Sequence, residues 1–419
     1  MKTMKVALLA TAALAAVSAS ARADDTAAIK AQLEALTARI AQLEAAPAVP
    51  AGYQLMTVSS QDAIVVPGLD YDMQRERGAK AVTIGVLPAA DAPASTVIQW
   101  GGLVRAALTY QDVDYDSGTG FGDDEFEEGD QMHIKARGRL DVTGTTDTAV
   151  GEVGAALSFY GDLDGAGSAS VYLDYAWGWW KMTPELTFAG GYNGSLATIG
   201  GKGMRAIDDS YITRGGVAVD GGDFTQFRLS YESGPLGLAV ALEHTDEEND
   251  IFNSDGGPFG VAGELTYAGD TFSAEIAGYI RDADAGGSDV TQTQIGAGVG
   301  FALSDMFALS AAGSFGSNVS FSDADGNSEV GDGWEVSAAA VATLSDTVSA
   351  EIGVGMSEYE DEFESGNETD VFALAGGVFW SPVPQLKMGP QASWQSREDD
   401  DDELTDFRAA FVTWWTFSQ

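Results

Sequence analysis

The sequence predicts an all-β fold, a 16-stranded antiparallel transmembrane β-barrel preceded by a short coiled-coil helix. Two observations predict the barrel. Apolar residues occupy alternate positions in successive segments from residue 96 onward, and the connections between these segments are short and long in turn. Glycine accounts for 52 of the 419 residues, which favours sheet and turns over a helix bundle. The predicted barrel domain comprises residues 96–419.

The first barrel segment shows the alternation. Trp100, Leu108 and Tyr110 share an apolar face, whereas Gln99 and Arg105 belong to the opposite, polar face. Ten residues that rise about 3.3 Å each and tilt by about 45° span roughly 23 Å, close to the apolar band of a membrane barrel. Aromatic residues at both ends match the girdles at membrane–water interfaces. A soluble sandwich would also alternate, so the connections have to distinguish the two folds.

Tight turns such as 232–235 and 345–346 alternate with longer, acidic stretches such as 245–259 and 282–292. In an up-and-down membrane barrel, one end carries short turns and the other carries long loops. The predicted strands are 97–110, 132–142, 150–160, 170–180, 185–192, 224–231, 237–244, 260–267, 271–281, 293–303, 306–316, 333–344, 347–357, 370–380, 385–395 and 405–417. Closure of the sheet into a barrel lets every backbone group within the lipid form a hydrogen bond. Side chains do not fill the interior of a 16-stranded barrel, so we expect a water-filled channel.

The composition excludes several classes of function. There are 64 Asp and Glu against 21 Lys and Arg, and the resulting net charge of −43 argues against nucleic-acid binding. The chain has no cysteine, so a disulfide framework, a Cys-ligated zinc site and a thiol nucleophile are impossible. Two histidines, His133 and His244, leave little room for histidine-based catalysis. We expect no enzyme activity, no cofactor and no metal site.

Residues 1–23 are predicted to be a cleaved signal peptide. Lys2 and Lys5 precede a short apolar run, and small residues follow up to Ala23, which is typical of an export signal. The apolar run is too short to span a bilayer comfortably, which disfavours a membrane anchor. Export and a membrane barrel together predict the bacterial outer membrane as the location.

Residues 24–46 are predicted to form a periplasmic coiled-coil helix. The apolar residues are spaced four and three apart, as in a heptad seam; they are Ile29, Leu33, Leu36, Ile40 and Leu43. Self-association is favoured over a lone amphipathic helix, because so short a helix is marginal by itself. The helix is also a candidate for contact with the cell wall. Residues 47–95 mix strand-like pieces with Pro and Gly, and we interpret them as a linker or small accessory segment.

Two groups of charged residues are candidates for setting the channel constriction. The first, the basic row, occupies four consecutive inward positions of the second predicted strand: His133, Lys135, Arg137 and Arg139. The second belongs to the long connection 193–223: Lys202, Arg205, Asp208, Asp209 and Arg214. Opposite charges that face each other across a lumen create a transverse field, which filters solutes. We hypothesise that the basic row faces acidic groups of an inward-folded loop. Ordinary lumen polarity is the alternative.

The acidic loops have two interpretations. They concentrate cations near the channel mouth, or they bind divalent cations that bridge to lipid headgroups. Residues 323–327 resemble a calcium-binding loop, but their glycine comes too early for an EF-hand. The sequence therefore does not predict a specific calcium site.

Four segments of the barrel carry a family resemblance: VIQWGGLVR at 97–105, DFTQFRLSY at 223–231, GLAVALE at 237–243 and GVAGELTYAG at 260–269. In these segments and their order the sequence resembles the alphaproteobacterial general porin family. The resemblance implies a homotrimer embedded in outer-membrane lipid and lipopolysaccharide. It also implies that the third extracellular loop, residues 193–223 in this chain, folds into the pore. The N-terminal coiled coil resembles an addition found in only some relatives.

Three functions remain open from the sequence. The leading prediction is a water-filled channel for passive diffusion of ions and small hydrophilic solutes. The second is a substrate-specific channel for sugars or carboxylates, which would have aromatic residues along the lumen and saturable flux. The third is a structural protein that tethers the envelope through residues 24–46.

Overall fold

The computed structural model describes residues 55–87, 95–117, 129–164, 170–208, 211–212, 220–245, 259–285, 288–322, 328–361, 368–399 and 402–416. The predicted signal peptide, coiled coil and calcium-like loop 323–327 lie outside these residues, as do Asp209 and Arg214. The described chain from Met56 onward forms one compact unit. Among the described residues, no helix combines the length and apolar character needed to cross a membrane.

Eighteen strands and one α-helix make up the described fold. In chain order they are β1 Leu55–Asp62, α1 Tyr71–Glu76, β2 Lys80–Leu87, β3 Thr96–Ser117, β4 Gly129–Thr148, β5 Gly151–Asp164, β6 Ser170–Lys181, β7 Leu186–Gly194, β8 Asp223–Ser233, β9 Leu236–His244, β10 Phe259–Ala268, β11 Phe272–Ala285, β12 Ser288–Ser304, β13 Phe307–Ser322, β14 Ser328–Ser345, β15 Val348–Asp361, β16 Glu368–Val383, β17 Leu386–Asp399 and β18 Asp402–Thr416. A 3₁₀ helix, Gly203–Ala206, lies between β7 and β8.

Strands β3–β18 form a closed antiparallel barrel of 16 strands, which confirms the predicted fold class. Consecutive strands pair with one another, and β18 pairs with β3 from Asp402↔Ser117 to Thr416↔Leu103. Closure leaves no free sheet edge along this pairing, which is the condition for placing a sheet in lipid.

The strands are longer than predicted at the long-loop end of the barrel. Strand β3 continues to Ser117, beyond its predicted end at residue 110, and β11 and β12 are separated only by residues 286–287. The acidic stretch 282–292 was therefore wrongly predicted to be mostly a loop. Its residues pair in a regular register, from Arg281↔Gln292 to Ala285↔Ser288. The sequence of these strand ends has no regular alternation of apolar and polar residues, which is the pattern that marks a strand within the membrane.

The two faces of the wall differ in exposure as the alternation predicts. In β9, Val240 is 49% exposed and Leu242 is 44% exposed, whereas Ala241 is 3% exposed and Glu243 is fully buried. The exposed apolar side chains lie on the outer face of the barrel, and the buried positions face its interior. A row of Leu and Val side chains on the outer surface is stable in lipid and unfavourable in water.

Strand β6 carries three tryptophans, and they lie on both faces of the barrel wall. The pairing with β5 contains an irregularity between Ser158 and Phe159. Trp177 and Trp179 are buried inside the barrel, whereas Trp180 is on the outer face and 37% exposed. Large aromatic residues on the inner wall imply that something apolar packs against them.

That apolar material comes from residues 63–79, which we call the luminal segment. Strands β1 and β2 pair with each other, and β2 pairs with the start of β3, from Val82↔Trp100 to Val86↔Thr96. Between β1 and β2 the chain enters the barrel. Val66, Leu69 and Met73 of the luminal segment pack against a cluster on the inner wall that includes Tyr175, Trp177 and Trp179. The sequence predicts that residues 47–95 are a linker or small accessory segment. The described part of that segment from Met56 onward, residues 56–87 and 95, belongs to the same compact unit as the barrel.

The lipid-facing surface predicts the effect of a charge on β9. Val240 lies at the middle of this strand, and Val240→Arg should lower the free energy of unfolding by about 2–4 kcal/mol if the residue faces the bilayer midplane. The matched control is Ser230→Arg on the inner face of β8, opposite Ala239, which should have a much smaller effect. Denaturant titration of the protein in lipid vesicles measures both. Equal effects would show that the outer face of β9 does not contact lipid.

Candidate channel constriction

The basic row lies on the inner face of β4, and its members have different surroundings. Arg137 forms two hydrogen bonds to Asp162 of β5, Nε to Oδ1 at 2.7 Å and Nη2 to Oδ2 at 2.8 Å. Its guanidinium also lies 4.6 Å from the ring centre of Tyr160. The His133 ring contacts the Gln131 side chain at 3.1 Å. Lys135 is half-buried on the same face.

Arg139 is the most enclosed member of the basic row, with 4% of the residue exposed. Its Nε lies 3.1 Å from Asp141, and its Nη2 lies 3.0 Å from Asp174 of β6. Nη1 pairs with Glu76, the last residue of α1, and Nη2 also donates to the Met73 carbonyl oxygen at 3.1 Å. Arg139 therefore attaches the luminal segment to the wall.

Glu76 is the carboxylate that joins two wall arginines. It pairs with Arg139 and with Arg105 of β3, whose Nη2 lies 2.7 Å from Oε1. Burial alone would raise the pKa of Glu76, but the charges of Arg105 and Arg139 outweigh burial and lower the pKa to about 2. The carboxylate is therefore ionised at neutral pH, as two buried guanidinium groups require.

The acidic partners of the basic row differ from the hypothesis made from the sequence. Among the described residues, Arg137 and Arg139 pair with carboxylates of the luminal segment and of β4, β5 and β6: Glu76, Asp141, Asp162 and Asp174. None of these residues belongs to the loop between β7 and β8. The sequence did not indicate that a second segment enters the barrel and brings Glu76 to Arg139.

The described residues of the loop between β7 and β8, which are 195–208, 211–212 and 220–222, also lie inside the barrel, and we call them the inward loop. Its apolar side chains pack on the inner wall in successive clusters. Leu196 and Ala197 contact small residues of β9 and β10, Ile199 packs with Ala277 and Ala312, and Met204, Ile207 and Ile212 pack against β14 and β16. The loop therefore extends along the inner wall from β9 to β16.

A glycine allows the closest approach of this loop to the wall. Gly203, at the start of the 3₁₀ helix, has a φ of +57°, and an added Cβ would lie 2.2 Å from Ser337 Oγ. The Met204 backbone N–H donates to the same hydroxyl at 3.1 Å. Any larger residue would meet both an unfavourable φ and the Ser337 side chain.

The charged residues predicted in the inward loop contact three different parts of the molecule. Lys202 pairs with Glu275 of β11 at 2.7 Å, and Asp208 pairs with Lys387 of β17 at 3.2 Å. Arg205 contacts Asp70 and Asp72 of the luminal segment. The described members of the predicted loop set thus lie inside the barrel, but they are dispersed along the loop.

Arg205 joins the two inserted segments. Its guanidinium lies 2.7 Å from Asp72 and 3.6 Å from Asp70 of the luminal segment, and 2.7 Å from Asp220 of its own loop. Burial would lower the pKa of Arg205, but the three carboxylates raise it above its ordinary value. Burial raises the pKa of Asp70 despite the attraction of Arg205. The same arginine lowers the pKa of Asp220 against the effect of burial.

A cavity of 330 Å³ remains beside the inserted segments. It is bordered by α1, by Asp208 of the inward loop and by β3, β16, β17 and β18. Charged groups of both signs and one large aromatic residue line it: Arg75, Glu76, Lys80, Arg105, Asp208, Lys387 and Trp414. The cavity therefore combines paired charges with a largely apolar lining.

Sequence reasoning missed most of the residues that hold the luminal segment. Glu76, Arg105 and Arg77 each make a buried polar contact inside the barrel. Arg77, for example, donates to the Tyr175 hydroxyl and to Thr143 Oγ1. The signal that could have indicated these contacts is the pair of inward tryptophans, Trp177 and Trp179, which are too apolar for a water-filled lumen.

No protein-family model matches the sequence, and a search of curated proteins finds no match. Solved structures do match. The outer membrane channel DcaP of Acinetobacter baumannii is 17% identical, with a TM-score of 0.60 over 77% of this chain and 98% of its own. Salmonella typhi OmpF, in complex with daunomycin, is 13% identical, with a TM-score of 0.56; the match covers 76% of this chain and 98% of OmpF. An anion-selective porin from Comamonas acidovorans is 12% identical, with a TM-score of 0.53; the match covers 77% of this chain and 100% of the porin. At these identities the similarity establishes the fold, which is that of outer-membrane porins.

The Glu76 contacts predict a measurable loss of stability. Glu76→Gln removes the charge that faces two buried arginines, so we expect the free energy of unfolding to fall by about 3–5 kcal/mol. Because the folded pKa is about 2 and the ordinary value is 4.5, this contribution is complete above pH 4.5 and is lost as the pH falls toward 2. The Glu76→Gln variant should not show this loss of stability between pH 4.5 and pH 2. Denaturant titration between neutral pH and pH 2 measures both effects.

The control for this substitution is Glu152→Gln. Glu152 pairs with Lys181 at 3.4 Å, and both side chains are about one-third exposed, so its removal should cost under about 1 kcal/mol. If Glu76→Gln were as stable as the control, the Glu76 contacts would not hold the luminal segment in place.

Proposed function

We propose that the protein is a bacterial outer-membrane porin, through which ions and small hydrophilic solutes diffuse passively. The observation that carries the proposal is a closed 16-stranded barrel with an apolar outer face and charged residues on its inner wall. A barrel of this size encloses water, and its charged lining selects among solutes. The fold shared with solved outer-membrane channels supports the same function. A diffusion channel requires no cofactor and no catalytic residues.

The finer parts of the proposal rest on the sequence. The resemblance to alphaproteobacterial porins supports a homotrimer, contact with lipopolysaccharide and transport through the outer membrane. The export signal in residues 1–23 and the heptad seam in residues 24–46 support secretion and a periplasmic coiled coil. A role of that coiled coil in attachment to the cell wall remains a prediction.

The constriction in this proposal is set by the inward loop and the luminal segment together. Each carries charges of both signs, and the cavity beside them is lined by Arg75, Arg105 and Lys387 on one hand and by Glu76 and Asp208 on the other. Charged side chains that are fixed by partners create a local field without reorganising as a solute passes. The basic row and the loop residues thus act in the proposal as parts of one charged constriction.

A substrate-specific channel is the second candidate, and one observation favours it. Phe379 and Trp414 contact each other edge to face on the inner wall, with ring centres 5.4 Å apart. The ammonium group of Lys387 lies 4.0 Å and 4.6 Å from the two ring centres. Trp414 also lines the cavity beside the inserted segments, and an aromatic ring there would bind a solute with an apolar face. Saturable flux of sugars or carboxylates into protein-containing vesicles would favour this candidate over passive diffusion.

The decisive experiment is single-channel recording from purified protein in a planar bilayer, with a salt gradient across it. Passive diffusion should give ohmic current steps, in groups of three for a trimer. The sign of the reversal potential reports whether cations or anions pass more readily. Folded, heat-modifiable protein that gives no current would contradict the channel function and favour the structural role.

Arg137 predicts how the constriction selects ions. Arg137→Glu replaces a luminal cation and leaves Asp162 without its partner, so we expect the reversal potential to shift toward cation selectivity. Lys181→Glu is the matched control, because it changes the charge equally at the end of β6, beside a short turn. If Arg137→Glu and Lys181→Glu shifted the reversal potential equally, a role of the basic row in ion selectivity would be ruled out.

A further inference from the structure

The luminal segment leaves the β1–β2 hairpin and returns to it at one point. The Ala63 backbone N–H donates to the Ala79 carbonyl oxygen at 3.0 Å, and Lys80 pairs with Asp62 beside this bond. Gln99 of β3 also accepts from the Ile64 N–H at 2.6 Å and donates to the Asp62 carbonyl oxygen at 2.9 Å. The segment is therefore a closed loop, which can change its position without unpairing β1 from β2.

The barrel wall does not depend on the luminal segment for its closure. Strands β18 and β3 pair directly along the full length of β18, from Asp402 to Thr416. Strand β2 pairs with β3 only between Thr96 and Trp100, before β18 begins its pairing. Removal of residues 63–79 from the interior would therefore leave every wall strand with both of its neighbours.

The contacts that hold the luminal segment are mostly polar. The wall binds it through Glu76 with Arg105 and Arg139, and through Arg228, whose Nη1 donates to the Gly68 carbonyl oxygen. Trp177 Nε1 also donates to the Pro67 carbonyl oxygen at 2.8 Å. Only three apolar side chains of the segment, named above, join the apolar cluster on β6. Ion pairs and hydrogen bonds of this kind are replaced by water when a channel fills.

The inward loop is bound to the wall in a different way. Ile199, Met204 and Ile207 are fully buried against wall residues. Displacing them would expose a large apolar surface to the lumen, which costs more than exchanging polar contacts for water. Of the two inserted segments, the luminal segment is thus the easier one to displace.

The two segments meet through a small set of contacts. Arg205 pairs with Asp72 and Asp70, and Arg75 Nη1 donates to the Ile207 carbonyl oxygen at 3.1 Å. Tyr71 lies against Gly200 and Gly201, where an added Cβ would come within 2.7 Å of the Tyr71 side chain. The inward loop therefore forms one side of the site in which the luminal segment lies, and we call this site the seat.

We propose that residues 63–79 are a removable plug of the channel, with Arg205 of the inward loop as the residue that positions it. The inference rests on the proposed channel function. With the plug seated, solutes pass only through the space beside α1. When it swings out about its closed base at Ala63 and Ala79, the lumen widens and the conductance rises. The plug is attached through the β1–β2 hairpin to the start of β3, at the short-turn end of the barrel. The plug therefore moves independently of the long loops at the opposite end.

A disulfide across the seat tests the proposal directly, because the chain has no cysteine of its own. The variant is Tyr71→Cys with Gly200→Cys, where an added Cβ at Gly200 lies 2.7 Å from Tyr71 Cβ. Two Cβ atoms in a disulfide are about 3.8 Å apart, so a small shift accommodates the bond. We expect single channels of the oxidised protein to lose their high-conductance level and to regain it on reduction. A second variant, in which a short Gly-Ser linker replaces residues 63–79, should remain at the high level.

The matched control is Asp62→Cys with Lys80→Cys, which joins the base of the plug and leaves the seat unchanged. Oxidation of this variant should not alter the current levels. If the oxidised seat variant, the reduced seat variant and the linker variant all had the same conductance, the plug would be refuted while the channel function would stand. If none of these folded proteins carried current, the proposed channel function itself would be refuted, and the plug with it.

Discussion

Closure of the barrel by pairing β18 with β3 is the constraint on which the rest of the structure depends. A sheet in lipid must pair its backbone groups, and 16 strands do so only as a ring. That ring encloses a lumen much wider than two layers of side chains. The interior must therefore be filled by water, by inserted chain or by both. The inward loop and the luminal segment are the inserted chain, and they enter from opposite ends of the wall strands.

Charge pairing then determines where the inserted segments lie. An arginine that is removed from water requires charged or polar partners, since an unpaired buried charge costs several kcal/mol. Arg139 and Arg105 meet this requirement with Glu76, and Arg205 meets it with Asp70, Asp72 and Asp220. The net charge of the whole chain is strongly negative, yet several arginines that the structure describes are buried inside the barrel: Arg77, Arg105, Arg139, Arg205 and Arg228.

The two inserted segments use different physical means to stay in place. Small wall residues such as Ala277 and Ala373 leave room for Ile199 and Met204, so the inward loop is packed like a protein core. The luminal segment combines one apolar cluster on β6 with many polar contacts, and its ends are closed on each other. A packed loop sets the permanent width of a channel, whereas a polar, closed segment is suited to a change of position.

The sequence by itself determined the 16 strands and the two faces of each strand. These features depend on periodicity, turn residues and length, which are local properties of the chain. It could not show that residues 63–79 enter the barrel, since Glu76 and Arg139 are far apart in the sequence and no local pattern connects them. It also overestimated the acidic loops, because strand pairing beyond the membrane needs no apolar alternation. Only the tertiary structure decided which carboxylate faces which arginine, since that pairing follows from the curvature of the closed wall and from the space that the two segments share within it.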